Sequence, residues 1–184
     1  MTVKIDYTGI TCIPPTPEYE RIRFVLRKEG NNPLFVIGLN SSTADEYDYD
    51  PTVGKAMRIA YANGWKDGFV MLNLYPLRKT DPQELPQTAD QKLLVENIAA
   101  IQKELGKVSK PTILAAWGAN IKKRKYLGDS LQKIVRLTAA QGAIWKHFGD
   151  LTKDEHPRHL LYVKSDAKLS KFDIEKYIKT LSKR

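Results

Sequence analysis

The sequence predicts an α/β fold: a three-layer α/β/α domain on a central, mainly parallel sheet of about four strands, with an antiparallel edge strand near the N-terminus. Three observations carry this. The runs LFVIGL (34–39), GFVMLNLY (68–75) and TILAAWG (112–118) are apolar at nearly every position, as strands covered on both faces must be. Between them lie stretches with helical periodicity, and parallel neighbours can be joined only through crossovers of that kind. A chain of 184 residues suits one core of this size, so a single domain over 1–184 is expected, with 1–20 as an N-terminal extension.

RIRFVLRK (21–28) alternates charged and apolar residues in the manner of a half-buried strand, and Gly30-Asn31-Asn32-Pro33 turns the chain into the run at 34–39. Asp50-Pro51-Thr52 reads as a helix start. The Asp50 carboxylate can accept from free N–H groups, and Pro51 stands where a missing N–H costs nothing. Val53, Met57, Ala60 and Tyr61 share one face of this helix, and Asn63-Gly64 ends it. After the strand at 68–75, the proline-rich PLRKTDPQELPQ is an irregular loop of the kind that carries function. Thr88 with Gln91 matches a capping box, and Leu94, Ile98, Ile101 and Leu105 form an apolar stripe that stops at Gly106. The strand at 112–118 leads into a basic helical segment with Leu131, Ile134, Val135 and Thr138 inside. AIWKHFG (143–149) is a short strand, HLLYV (159–163) reads as another, and Ser170 with Asp173 caps a final helix over 170–184. That helix carries Ile174, Tyr177, Ile178 and Leu181 on its apolar face.

Hydrophobic residues at 42% and charged residues at 28% are ordinary for a soluble globular protein, and no run approaches a membrane span. The N-terminus lacks the apolar stretch of a signal peptide, and a lone cysteine, Cys12, allows no internal disulfide, so a cytoplasmic protein is expected. The net charge of +9 is unevenly spread: residues 1–90 hold 10 Lys/Arg against 12 Asp/Glu, while residues 91–184 hold 20 against 9. A basic half is compatible with a nucleic acid or nucleotide as partner.

In open α/β sheets ligands bind beyond the C-terminal ends of the parallel strands, which directs attention to 40–50, 73–81, 117–118 and 148–159. Asn40 and Asn73 close two of the buried runs. An amide there can read the edge of a planar heterocycle or hold a water, or it can cap a neighbouring loop. Ser42, Thr43, Arg78, Asp81 and Trp117 fall at the same level and complete the candidate ligand-binding set. Asp45, Glu46, Asp48 and Asp50 begin like a calcium loop, but Pro51 stands where that loop needs glycine and the distal glutamate is missing, so a solvated loop is expected and no metal. His156, Arg158 and His159 crowd four positions. Histidine can donate to an anionic leaving group and arginine can clamp a phosphate, while the bland alternative is a polar turn. Lys122, Lys123, Arg124 and Lys125 lie where a helix starts and backbone N–H groups already favour anions, a candidate phosphate site. No Gly-x-Ser-x-Gly elbow and no Walker loop is present, so acyl-transfer and nucleotide-hydrolase readings are poorly supported, and no cofactor is expected.

NSSTAD (40–45), DPT (50–52), NLYPLRKTDP (73–82), WG (117–118) and PRHLLY (157–162) together resemble a bacterial and phage domain family of unknown function, over roughly residues 21–163. Ser41 and Leu160 stand where that family's motifs have proline. A more distant resemblance is to the uracil-DNA glycosylase superfamily, through GLNS (38–41), MLN (71–73), AWG (116–118) and HPR (156–158). It implies that Asn40 orients a water, Asn73 reads the base edge and His156 stabilises the departing base, so that a nucleobase is bound and an N-glycosidic bond hydrolysed. The rivals are a non-catalytic module binding phosphate or protein, and an enzyme acting on a free nucleoside or nucleotide.

Overall fold

The computed structural model describes residues 6–15, 20–44, 47, 51–66, 68–164 and 166–181. Asp45, Glu46, Asp48 and Asp50, hence the acidic run and the expected cap of the first helix, lie outside the described residues. The chain is α/β, with one seven-stranded mixed sheet and four α-helices. The strands are β1 (Ile10–Ile13), β2 (Val25–Lys28), β3 (Leu34–Asn40), β4 (Phe69–Tyr75), β5 (Thr112–Ala115), β6 (Ile144–Phe148) and β7 (Leu169–Lys171), in the order β1-β2-β4-β3-β5-β6-β7. Pairings β4-β3, β3-β5 and β5-β6 are parallel; β1-β2, β2-β4 and β6-β7 are antiparallel.

The expected sheet of about four strands is therefore too small. The difference lies in short edge strands that need only one apolar face. In β1, Ile10 and Cys12 are buried and Thr11 is exposed, so part of the expected N-terminal extension belongs to the sheet. β7 has only three residues and no apolar run to announce it, and it contains Ser170; the cap of α4 (Ile174–Leu181) is Asp173 alone, whose Oδ1 accepts from Lys176 N at 2.9 Å. HLLYV is not a strand. Leu160–Tyr162 form a short 3-10 helix whose turn buries Leu160 and Val163, three residues apart. α2 (Gln91–Leu105) starts one residue after Asp90, which accepts from Lys92 N and Leu93 N, so Asp90 and not Thr88 is its cap.

Apart from Asn40 and Asn73, β3 and β4 are apolar because both faces are covered. Phe35 and Ile37 join one core with Leu94, Ile101, Leu127 and Leu131 of α2 and α3 (Lys125–Ala139), while Leu34 and Val36 join another with Val53, Ala56 and Ile59 of α1 (Pro51–Ala62). Each such side chain, taken fully out of water, stabilises the fold by about 1.5–3 kcal/mol before the entropy of ordering is subtracted. Tyr61, expected on the inner face of α1, is 44% exposed and lies under the Lys66 ammonium.

The order of connections positions the site. From β3 the chain steps through α1 to β4 on one side, then through α2 past β3 to β5 on the other. With one hand of crossover dominant, that reversal puts α1 and α2 on opposite faces. It also opens a crevice between the C-terminal ends of β3 and β5.

Candidate functional site

A cleft of about 630 Å³ occupies that crevice. Gly38, Leu39 and Asn40 of β3 and Ala116, Trp117 and Gly118 after β5 line its floor, Lys79 and Thr80 one wall, and Arg158 to Tyr162 the other. Thr52, at the start of α1, borders it as well.

Asn40 is half-buried and lines the cleft. Its Nδ2 donates to Ser41 O (3.0 Å) and Lys79 O (2.7 Å), while its Oδ1 makes no hydrogen bond among the described residues. The side chain is thus anchored by its nitrogen, and its oxygen has no donor among the described residues. Asn73 is 1% exposed, directly across from Gly38 in the parallel register. Its amide nitrogen donates to Asn40 O (3.0 Å) and Leu72 O (3.3 Å) and its oxygen accepts from Ser41 Oγ (3.1 Å), whose hydroxyl also donates to Arg23 O (2.7 Å); this orientation keeps the Asn73 oxygen off the two backbone carbonyls. Asn73 therefore borders the cleft but spends its hydrogen bonds on the β3 exit. Gly38 makes this possible: a Cβ there would stand 2.6 Å from Asn73's amide and 2.8 Å from Met71 Cε.

The Ser42–Ala44 turn at the rim is held by two arginines. Arg78 donates from Nε to Ser42 O (3.2 Å) and from Nη2 to Thr43 O and Ala44 O; Arg23, 1% exposed, donates to Ala44 O and, at 3.4 Å, to Ser42 Oγ. Carbonyls that would otherwise point at water are satisfied by planar, charged donors. Arg78 thus shapes the wall that Ser42 and Thr43 present. Arg23 gives no signal of this in the sequence, because its alternation with Ile22 and Phe24 looks like a solvent-facing strand position. Asp81 is exposed and caps the short 3-10 helix Pro82–Glu84 by accepting from Gln83 N at 2.8 Å.

On the opposite wall, Arg158 and His159 both line the cleft and are half-buried. Arg158 Nε donates to Asp150 O (2.8 Å), and His159 Nδ1 accepts from Leu161 N (3.4 Å), which leaves the imidazole proton on Nε2 in the neutral ring. His159 packs on Gly118, whose φ of +69° favours glycine and where a Cβ would meet His159 Cβ at 3.3 Å. His156 is elsewhere. It is 1% exposed, its Nδ1 lies 2.8 Å from Tyr177 Oη on α4, and Tyr177 Oη in turn accepts from Trp117 Nε1 at 3.1 Å. The structure thus brings Asn40, Asn73, Trp117, Arg158 and His159 to one cleft and leaves His156 behind Trp117. Tyr177 is the residue that sequence reasoning misses here; as one of several apolar positions on the last helix, its spacing points only to the core.

The basic run divides in the same way. Arg124 donates to Gln83 O, Leu85 O, Pro86 O and Lys123 O at 2.7–3.1 Å, and Lys122 pairs with Asp154 at 3.2 Å, leaving Lys123 and Lys125 exposed at the start of α3. Tyr126 completes the lock on this loop: its hydroxyl donates to Pro86 O (3.1 Å), and burial pushes its pKa up to about 12, so it stays a donor. Among the described residues no group of three or more His, Cys, Asp or Glu is arranged to hold a metal ion, and no helix is long and apolar enough to cross a membrane.

Fold and site define an α/β protein with a ligand-sized cleft at the topological switch point of its sheet. The chain belongs to the family described as protein of unknown function DUF1643, which it matches over residues 23–161. No curated protein and no solved structure matches it.

Proposed function

We propose that the cleft binds a nucleobase-containing ligand, a nucleotide or an unpaired nucleotide of a nucleic acid, within a three-layer architecture like that of the uracil-DNA glycosylases, and that hydrolysis of an N-glycosidic bond is its reaction. One observation carries the reading: Asn40, with its Oδ1 unbonded among the described residues, shares the switch-point cleft with Arg158 and His159. An amide oxygen can accept from a base N–H or from an attacking water, while a guanidinium and an imidazole Nε2–H can donate to a phosphate. In the hydrolysis the water oxygen bonds to the anomeric carbon as the C–N bond breaks, the bonding pair leaves with the base, and the proton that the water gives up makes good the one that a donor on the cleft wall delivers to the base. The position of His159 on the cleft wall supports it, rather than the enclosed His156, as that donor.

The test is a titration of the full chain with nucleoside monophosphates and with single- and double-stranded oligonucleotides carrying uracil or hypoxanthine, scored for binding and for alkali-revealed abasic sites. Asn40→Ala and Arg158→Ala are each expected to weaken binding at least 10-fold. Binding unaltered in both variants would remove the cleft reading, and binding without abasic sites would reduce it to recognition alone.

A further inference from the structure

Behind Trp117, on the side away from the cleft, lies a second cavity of about 200 Å³ between the loop after β6 and α4. Its interior is aromatic and aliphatic. Phe172 and Tyr177 are buried with ring centroids 5.3 Å apart, His147 meets Phe172 edge-on at 5.7 Å, His156 meets Tyr177 edge-on at 5.8 Å, and Leu151 and Leu181 close the remainder. The mouth is charged but balanced: Glu155 pairs with Lys176 at 3.7 Å, Asp154 pairs with Lys122 at 3.2 Å, and Lys171 offsets Asp173, which spends an oxygen on the first turn of α4.

We propose that this cavity binds a small, neutral, flat aromatic molecule of one or two rings, and that its occupancy is transmitted to the cleft through Tyr177 and Trp117. The size is adequate, since an apolar cavity of roughly 150 Å³ takes up benzene. Rings at edge-to-face geometry offer a planar guest both faces and edges. A charged guest would lose its hydration in the apolar interior and meet a mouth of no net charge, where carboxylates and lysines balance. Burial lowers the pKa of His147 below that of a free imidazole, which keeps that wall uncharged at neutral pH. The link to the cleft is short and enclosed: Tyr177 forms one wall of the cavity and its hydroxyl holds the indole N–H of Trp117, which lines the cleft. A guest that moves the Tyr177 ring moves that hydroxyl. None of this depends on what the cleft itself binds.

The experiment uses isotope-labelled full-length protein titrated with indole, with benzoate and benzylamine as charged comparators, followed by NMR. Indole is expected to shift the Trp117 Nε1–H and Gly118 amide signals saturably, with a dissociation constant of about a millimolar or below, and at least 10-fold more tightly than either charged probe. Leu181→Trp and Leu151→Phe, which fill the cavity, are expected to abolish the shifts. Tyr177→Phe keeps the ring wall but cuts the hydroxyl link, so indole should still shift the Phe172 amide while the Gly118 response disappears. Absence of saturable shifts, or their persistence in both filled variants, overturns the site. Equal binding of a charged probe overturns the ligand class, and an undiminished Gly118 response in Tyr177→Phe overturns the coupling.

Discussion

Tyr177 Oη lies 2.8 Å from His156 Nδ1, and this bond ties the loop after β6 to α4 instead of presenting the histidine to the cleft. Because an indole N–H only donates, Tyr177 Oη accepts from Trp117, and the same oxygen joins that indole to the His156 ring. Tyr177→Phe removes the centre of this network and strands two buried polar groups. The expected loss is about 1–3 kcal/mol, read as a lowered urea midpoint with unchanged slope. His156→Ala should likewise lower stability but leave cleft affinity within about twofold; a loss of ligand binding at full stability would put His156 back among the ligand contacts.

Gly38→Ala tests how tightly the cleft floor is built. Met71 Cε is the end of a flexible chain and can move aside, but Asn73's amide is held by Asn40 O, Leu72 O and Ser41 Oγ. The added methyl group must therefore displace Asn73 or part β3 from β4. Overpacking of this kind costs about 1–3 kcal/mol, and thermal unfolding is expected to show it. Asn73→Ala in the same background should recover part of the loss, because it removes the group that clashes.

How far the sequence discloses this arrangement depends on whether a signal is local. The buried runs containing Ile37, Leu72 and Leu114 announce β3, β4 and β5, and the rule that ligands sit beyond such strands is enough to gather Asn40, Trp117 and His159 at one cleft. β1 and β7 are not legible, since a short edge strand such as Leu169–Lys171 has no run and no alternation long enough to count. The direction of a loop side chain is not legible either. His156 turns from the cleft because of Tyr177, 21 positions later, and Arg124 turns from solvent because of carbonyls about 40 positions earlier.

Within the basic run, Arg124 and its neighbours should separate cleanly. Arg124→Ala releases the carbonyls of Gln83, Leu85 and Pro86 from their charged donor, and a loss of about 1–3 kcal/mol is expected in denaturant unfolding. Lys123→Ala with Lys125→Ala, both exposed, should stay within about 0.5 kcal/mol. If those two lysines neutralise phosphates, the double variant will instead flatten the salt dependence of oligonucleotide binding, its slope falling by roughly 0.7 to 0.9 for each phosphate left without its lysine.

His147 sets a pH dependence whose sign can be worked out. Burial lowers its pKa, with partial compensation from the backbone at Gly149 and Phe148 and from Asp150, so the folded chain binds this proton less readily than the unfolded one. Between the depressed folded value and the ordinary value near 6.5, the unfolded state carries more protons and stability rises with pH. The contribution is fully present above about pH 6.5, is lost as the pH falls through that window, and levels off once the folded histidine is itself protonated. His147→Phe, which keeps the ring against Phe172 and removes the titrating group, is expected to flatten the stability profile there while leaving the alkaline side unchanged. The check is urea unfolding at half-unit steps from about pH 5 to about pH 8, the range that brackets a histidine's titration: parallel profiles for the two proteins would show that His147 titrates alike in both states.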